Sequence, residues 1–260
     1  MLHHEISGNG KKPLVLLHGF MENTTIWDEM EAHLSKDFTL IKIDLPGHGK
    51  SKVYQEIHTV ELMAEKVKEV IDALKLEKIN LLGHSLGGYV SLAFAEKFPE
   101  ILESMTLFFS TTVADDQEKK AIRRRSIAVI DENFETFVKT SIPNLFSNNE
   151  KDILEGKIEL AKNIAKSTNK EGVKAAQLGM AERPDRTEIL ENLDAKILII
   201  AGKYDNAVKT ENLLKIIPEK TNIKTYVLDC GHNGHWEKPT ICAEIINTEL
   251  LHNLPKHFLL

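Results

Sequence analysis

The sequence has few cysteines and no long apolar run. Two of its 260 residues are cysteines, Cys230 and Cys242, which argues against a disulfide framework and is typical of a reducing compartment. The longest aliphatic runs, LVLL at 14–17 and ILII at 197–200, are far shorter than the ~20 apolar residues of a membrane-spanning helix. We therefore expect no transmembrane helix.

An excess of positive charge is also absent. The chain carries 33 Lys and Arg against 39 Asp and Glu, a formal net charge of -6. Nucleic acids and anionic membranes select for basic surfaces, so neither is expected as a main partner. The first residues, MLHHEISGNGKKP, lack the apolar core of a signal peptide, and we expect a cytoplasmic protein. A homo-oligomer is compatible with this sequence.

Short apolar runs alternate with helical patterns through most of the chain. Six runs predict strands: 14–19, 38–44, 78–83, 104–110, 196–202 and 223–229. These runs are continuous rather than alternating, as expected for strands that helices cover on both faces. Helical patterns lie at 58–76, 86–98, 210–217 and 239–251. This order predicts an α/β fold with a doubly wound, mostly parallel sheet.

Residues 112–187 interrupt this alternation. They contain no strand pattern and predict several helices, with breaks near 141–149, 167–172 and 182–186. We therefore expect a core domain of residues 1–111 and 188–260 and an inserted helical segment, residues 112–187. The basic run EKKAIRRRS at 118–126 is interpreted as a solvated helix face rather than a substrate-binding patch.

The stretch LLGHSLGGYV at 81–90 places a serine among glycines, directly after a predicted strand. Gly83, Ser85 and Gly87 fit the pattern G-x-S-x-G between a strand and a helix, the context of a nucleophile elbow. Such a turn strains the serine backbone, and side chains at the two glycine positions would collide with their neighbours. Ser85 is therefore the predicted nucleophile, at the strand end where open α/β sheets bind ligands.

A serine hydroxyl needs a general base, which is most often a histidine. The segment VLDCGHNGHWEKP at 227–239 offers two. His232 follows a strand and a glycine, which suits a tight turn, whereas His235 is placed to line the site or begin the next helix. A metal site made of Cys230, His232 and His235 is a weak alternative, because no second ligand cluster accompanies them. We expect neither a metal nor an organic cofactor.

The base in turn needs a carboxylate that fixes its tautomer. Asp205 lies on a loop directly after the strand at 196–202 and is the favoured candidate. Asp229 is a rival, but it is too close to His232 in sequence for an easy side-chain hydrogen bond. Asp115 and Asp116, after the strand at 104–110, are remote alternatives.

A tetrahedral intermediate also needs N–H donors for its oxyanion. We expect one from the backbone of Leu86, immediately after the nucleophile. The second is expected from Phe20, in the loop LLHGFMENTTIW that follows the first predicted strand. His18 is expected to hold this loop rather than to take part in the chemistry.

Five motifs together resemble the α/β-hydrolase superfamily over nearly the whole chain: HGF (18–20), DLPGHGKS (44–51), GHSLGG (83–88), GKYD (202–205) and GHNGHWEKP (231–239). The subgroup that looks most similar contains carboxylesterases, enol-lactonases and non-haem haloperoxidase-like hydrolases. The resemblance implies the chain order Ser85, Asp205, His232 for the catalytic triad. It also implies that residues 112–187 form a cap, or lid, over the active site.

The resemblance implies a serine hydrolase that cleaves a small-molecule carboxylic ester through an acyl-enzyme. Family dehalogenases and epoxide hydrolases use aspartate as the nucleophile, so those activities are set aside. His84 stands where menaquinone-pathway lyase-like members usually have tyrosine, which disfavours that activity. The alternatives are a lactonase, a thioesterase, a carbon–carbon hydrolase or lyase, and a slow-turnover ligand receptor.

Apolar residues of the inserted segment are candidates for the substrate pocket. They are Phe134, Phe137, Ile142 and Phe146, with Leu178 and Met180 as further possibilities. For any one of these residues, a place in the core of the segment itself is the more common role.

Overall fold

The computed structural model describes residues 1–34 and 36–251 of the chain. Its centre is a seven-stranded sheet in the order β1-β3-β2-β4-β5-β6-β7. The strands are β1 (His4–Ser7), β2 (Lys12–Leu17), β3 (Phe38–Ile43), β4 (Ile79–His84), β5 (Leu102–Phe108), β6 (Lys196–Gly202) and β7 (Ile223–Leu228). Every neighbouring pair is parallel except β1 with β3, which confirms the predicted α/β class.

The two edges of the sheet depart from the predicted pattern. β1 was not predicted, because its sequence HEIS is short and carries no continuous apolar run. It adds antiparallel to β3, with His4 opposite Ile43. β7 forms the other edge, and burial is incomplete along it: Val227 is 44% exposed. An edge strand has one strand neighbour, so the expectation of strands buried on both faces fails there.

Ten helices accompany the sheet in the described part of the chain. They are α1 (Asp28–Leu34), α2 (Val60–Ala73), α3 (Leu86–Lys97), α4 (Gln117–Ser141), α5 (Glu155–Ser167), α6 (Lys170–Glu182), α7 (Glu188–Asn192), α8 (Thr210–Leu214), α9 (Gly234–Glu237) and α10 (Pro239–Leu251). Short 3₁₀ turns lie at Thr24–Trp27, Pro99–Ile101, Ile142–Leu145 and Asn148–Glu150.

The alternation of side chains along β2 divides the core into two layers. Val15 and Leu17 join a hydrophobic cluster with α2 and α3, whereas Leu14 and Leu16 join a second cluster with α1 and α10. Successive strand residues point to opposite faces, so one continuous apolar strand supplies both layers. This is the doubly wound arrangement that the sequence predicts.

α2 and α3 show two ways of covering a sheet. α2 begins at Thr59, whose hydroxyl accepts the Leu62 N–H at 3.1 Å, and buries a stripe that includes Val60, Met63 and Val67. α3 is buried almost throughout, from Leu86 to Ala95. A helix without a solvated face is expected beneath the centre of the sheet, and α3 begins there, directly after β4.

The segment between β5 and β6 is helical, as predicted. α4 bends at Asn133, where φ is -154° and ψ is 83°, and the Asn133 side chain accepts the Thr136 N–H at 2.9 Å. The ends of the segment meet, because the Arg186 N–H donates to the Thr112 carbonyl at 3.0 Å. That this segment forms a cap separate from the core stays a prediction. The hydrogen bond between its two ends supports this prediction.

Within the described residues, none of the helices has both the length and the apolar character required to cross a bilayer.

Candidate active site

Ser85 occupies a strained turn between β4 and α3. Its φ is 49° and its ψ is -110°, a conformation that L-residues rarely adopt. The flanking glycines make the turn possible. A Cβ on Gly83 would lie 2.2 Å from the Gly87 carbonyl oxygen, and a Cβ on Gly87 would lie 2.4 Å from the Leu17 carbonyl oxygen. The strand therefore delivers the serine hydroxyl to the carboxyl end of the sheet.

Ser85, His232 and Asp205 form a hydrogen-bonded chain. His232 Nε2 lies 2.8 Å from Ser85 Oγ, and His232 Nδ1 lies 2.7 Å from Asp205 Oδ2. The other carboxylate oxygen of Asp205 accepts the N–H groups of Ala207 and Val208, both at 2.8 Å. These bonds fix the carboxylate, which in turn orients the histidine ring toward the serine.

The surroundings of His232 favour a strong base. Burial of the ring disfavours its charged form, but the facing Asp205 carboxylate outweighs this, so the pKa of His232 lies above its ordinary value. More distant carboxylates, Glu22 and Glu237, act in the same direction. An imidazole of this kind can accept the proton of a serine hydroxyl and later return it to a leaving group.

The other candidate carboxylates are engaged elsewhere. The Asp229 side chain is 74% exposed and lies 3.2 Å from Lys203 Nζ. Asp115 is buried and pairs with Arg183 at 2.9 Å. Asp116 accepts the Lys119 N–H at 2.7 Å as the N-cap of α4. Of the two histidines, His235 is fully buried in α9, 3.8 Å from Glu22, and His232 is the one that meets Ser85.

Of the two expected oxyanion donors, Leu86 follows Ser85 directly in the chain, and Phe20 lines the same cavity as Ser85. Leu86 is the first residue of α3, so its N–H has no intrahelical acceptor. Phe20 borders the same cavity as Ser85, and no acceptor for its N–H occurs among the described residues. His18 holds the Phe20 loop, because its Nε2 accepts the Leu45 N–H at 2.9 Å.

A cavity of about 400 Å³ lies above Ser85, within the range of small-molecule sites. Phe137 lines it, as expected, and so does Met180. The remaining pocket candidates lie elsewhere. Ile142 and Phe146 are buried in the cluster with α10, Phe134 packs against that cluster, and Leu178 borders a different cavity.

These corrections have a physical cause in the inserted segment. The bend of α4 at Asn133 and the 3₁₀ turn after it break the helical period on which a prediction of faces depends. Phe146 instead stacks on Trp236, with ring centroids 6.0 Å apart and planes at 4°. Leu145, one residue earlier, is the one that faces the cavity.

The basic run at 118–126 is also only partly a solvated face. Lys119, Ile122, Arg123 and Ser126 line the cavity, at the spacing of one helix face, whereas Arg124 is exposed and pairs with Glu182. Helical periodicity within the run was the signal that could have separated these two groups.

Two buried residues next to the triad were missed from sequence. Glu22 Oε2 accepts the Gly19 N–H at 2.5 Å and lies 2.8 Å from His84 Nδ1. Burial opposes ionisation of Glu22, but His84, with smaller contributions from His235 and His18, outweighs it and lowers the pKa of Glu22 to about 2. Glu22 and His84 are 62 residues apart, and no local pattern connects them.

The weak metal alternative made of Cys230, His232 and His235 is not supported. Both ring nitrogens of His232 are already engaged, one with Asp205 and the other with Ser85. Within the described residues, one different group of possible ligands occurs: Glu22, His84 and His235 offer atoms within 4.8 Å of one another.

Comparison with known proteins agrees with this fold. A family model described as alpha/beta hydrolase fold matches residues 12–239. A thermophilic esterase from Thermogutta terrifontis, solved with malate bound, is 33% identical. It superimposes with a TM-score of 0.90 over 96% of this chain and 93% of its own.

Two curated relatives have other activities in their names. A putative 2-succinyl-6-hydroxy-2,4-cyclohexadiene-1-carboxylate synthase of Bacillus subtilis (strain 168) is 28% identical over 256 residues, covering 92% of this chain and 90% of that protein. A 2-hydroxy-6-oxononadienedioate/2-hydroxy-6-oxononatrienedioate hydrolase of Escherichia coli (strain K12) is 26% identical over 249 residues, covering 91% and 86%.

Proposed function

The chain belongs to the α/β-hydrolase family, and from this premise we propose that it is a serine hydrolase that cleaves a small-molecule carboxylic ester. One observation carries the proposal: the hydrogen-bonded chain from Ser85 through His232 to Asp205, with distances of 2.8 and 2.7 Å. A nucleophile, a base and an orienting carboxylate in this order are what acyl transfer requires.

In the first half-reaction, Ser85 Oγ attacks the ester carbonyl carbon while His232 Nε2 takes the hydroxyl proton. Asp205 stabilises the imidazolium that forms. The backbone N–H groups of Phe20 and Leu86 donate to the oxyanion. The tetrahedral intermediate then collapses: the carbon–oxygen bond to the alcohol breaks, and His232 protonates the departing alkoxide. The acyl group stays on Ser85 as an ester.

In the second half-reaction, water attacks the acyl-enzyme. His232 removes a proton from that water and then returns it to Ser85 Oγ as the acid leaves. These steps use side chains and backbone groups of this chain alone, and the proposal includes no cofactor. The partner is a small-molecule ester.

The cavity supports a compact substrate. Its volume of about 400 Å³ is suited to a small molecule, and Phe20, Phe137 and Met180 provide apolar wall. Lys119 adds a cationic group on the side of α4, whereas the neighbouring Arg123 pairs with Asp115. An ester with one apolar portion and a polar or anionic group at some distance from the carbonyl fits this lining.

A carbon–carbon hydrolase is the second candidate. It is favoured by the Escherichia coli relative, whose name describes a hydrolase of an oxo-dienedioate and which aligns with 91% of this chain. The same serine, base and oxyanion donors serve such a reaction when the bound substrate is a vinylogous 1,5-diketone. Lactones and thioesters are further acyl substrates for the same groups.

The test uses p-nitrophenyl esters of increasing acyl length, with wild type, Ser85→Ala and the control Ser167→Ala. Ser167 lies at the end of α5, where its hydroxyl bonds to the Ile164 carbonyl. We expect multiple turnovers in wild type and the control, and a loss of at least ~10³-fold in kcat for Ser85→Ala. A wild-type rate no higher than that of Ser85→Ala would contradict the ester proposal. Hydrolysis of an oxo-dienoate instead would favour the second candidate.

A further inference from the structure

The mechanism above makes no use of Glu22 or His84, although both are buried beside the triad. The His84 side chain is 1% exposed and that of Glu22 is 9% exposed. Leaving an ionisable pair in such a place is costly unless every polar atom is satisfied. The groups that hydrogen-bond to Glu22 and His84 therefore indicate the role of the pair.

Hydrogen bonding defines the charge of the His84 ring. His84 Nδ1 lies 2.8 Å from Glu22 Oε2, and His84 Nε2 lies 3.0 Å from the carbonyl oxygen of His232. A carbonyl oxygen and an ionised carboxylate can only accept. An arrangement in which both ring nitrogens donate satisfies both acceptors, and it makes His84 and Glu22 a buried ion pair.

One end of this pair holds the turn that carries an oxyanion donor. Glu22 reaches back to the N–H of Gly19, the residue before Phe20, at 2.5 Å. Met21, between Phe20 and Glu22, has a φ of 59°, which is uncommon for a residue other than glycine. A Cβ on Gly19 would lie 2.7 Å from both Glu22 Oε2 and His84 Nδ1. The turn is thus closed around the ion pair.

The other end holds the backbone of the base. The His232 carbonyl accepts from His84, while the His232 N–H donates to the Leu145 carbonyl at 2.8 Å. The peptide groups on both sides of this residue are therefore fixed. The His84 ring also lies against the His232 ring, with centroids 5.1 Å apart.

We propose that the buried Glu22–His84 pair positions the Phe20 N–H and the His232 ring relative to each other and to Ser85. The pair thereby supports the chemical step rather than substrate binding. Both are positioning residues, because neither supplies the nucleophile, the base or an oxyanion donor. This inference rests on the proposed function for its kinetic consequence, but its structural content can be measured separately.

The kinetic test is Glu22→Gln, which keeps the shape of the side chain and removes its charge. A displacement of an oxyanion donor by about 1 Å costs about 10²-fold in rate. We expect kcat to fall by about that factor, with KM changed less than ~3-fold. The control is Glu31→Gln, which breaks an ion pair with Lys42 at 2.7 Å. It should leave both constants unchanged. A raised KM with an unchanged kcat in Glu22→Gln would overturn the proposal.

The double variant Glu22→Gln/His84→Gln tests whether the two residues act as a unit. If they do, the second substitution costs little beyond the larger single loss, less than ~3-fold in kcat. Losses that multiply would mean that the residues act independently, and would count against a pair.

The closing experiment needs no turnover. In ¹⁵N-histidine NMR of wild type and Ser85→Ala at pH 7, with His84→Gln for assignment, we expect hydrogens on both His84 ring nitrogens. Glu22→Gln should remove one of them. A singly protonated His84 in the wild type would overturn the inference even if hydrolysis were confirmed. A doubly protonated one would support it even if every ester failed.

Metal analysis of the purified protein is a further test of the proposal. A divalent ion on Glu22, His84 and His235 would take the place of the hydrogen on His84 Nδ1. One equivalent of such an ion in wild type, absent from Glu22→Gln, would therefore replace the ion pair as the explanation. Its absence from both proteins leaves the ion pair in place.

Discussion

At the scale of single residues, one carboxylate contributes most to the strength of the proposed base. Burial opposes the charged form of His232, but Asp205, with Glu22 and Glu237, outweighs this effect and keeps the pKa of His232 raised. We predict that Asp205→Asn lowers kcat by about 10⁴-fold, because the amide favours the wrong tautomer of the ring and does not stabilise its charged form. Esterase kinetics would measure this. The control Asp229→Asn changes an exposed carboxylate and should keep wild-type kcat.

The same two variants, Asp205→Asn and its control Asp229→Asn, also test the pH dependence of kcat/KM. Catalysis needs neutral His232, so kcat/KM falls as pH decreases through the pKa of this residue. That pKa is raised in wild type, which places the acid limb at higher pH than an unperturbed histidine would. Removing the charge of Asp205 should move the acid limb of the residual activity to lower pH. An unmoved limb in Asp205→Asn would mean that His232 is not the titrating base.

At the scale of elements, the close approach of α3 to β2 depends on Gly87. A Cβ there would lie 2.4 Å from a backbone oxygen that cannot move aside. We predict that Gly87→Ala lowers the free energy of unfolding by about 2 kcal/mol or more. In contrast, a Cβ on Gly156 in α5 meets nothing within 4 Å. Gly156→Ala should therefore stabilise the protein, by about 0.5–1 kcal/mol. Denaturant unfolding of both variants would measure the difference, and equal effects would contradict it.

The packing of each element determines whether the sequence predicts it. The six predicted strands are continuous apolar runs, and such runs are required wherever both faces of a strand are covered. β1 is short and lies at an edge, so its sequence needs no such run. α1 has two buried residues, Met30 and Leu34, too few to give a clear helical period.

The residues of the site also divide into those that the sequence predicts and those that it does not. Ser85, Asp205 and His232 each lie within four residues of the end of a strand, and the sheet brings strand ends together without further information. The cavity wall and the Glu22–His84 pair depend on bends and on contacts between distant segments. Local periodicity therefore could not place Ile142 or Phe146, and it gave no reason to connect Glu22 with His84.

At the scale of the whole molecule, Arg186 ties the end of the inserted segment to the core. Its side chain is 5% exposed and bonds to Glu61 of α2 at 2.6 Å and to Glu96 of α3 at 2.8 Å. We predict that Arg186→Ala lowers the free energy of unfolding by about 2 kcal/mol, below the ~3–5 kcal/mol of a fully buried pair, because both glutamates are partly solvated.

Arg124→Ala provides the comparison for Arg186→Ala. The side chains of the Arg124–Glu182 pair are both about half exposed. Arg124→Ala should therefore lower the free energy of unfolding by no more than about 0.5 kcal/mol. Thermal unfolding of the two variants would measure the contrast. Equal transition temperatures would show that Arg186 does not anchor the segment.

The spacing of the catalytic residues along the chain has a consequence for biosynthesis. Ser85 and His232 are 147 positions apart, and His232 follows β7, which among the described strands pairs only with β6. During translation, the serine strand and its neighbours emerge well before the base does. A nascent chain therefore carries an unactivated hydroxyl, and it becomes a hydrolase only when the last strand adds to the edge of the sheet.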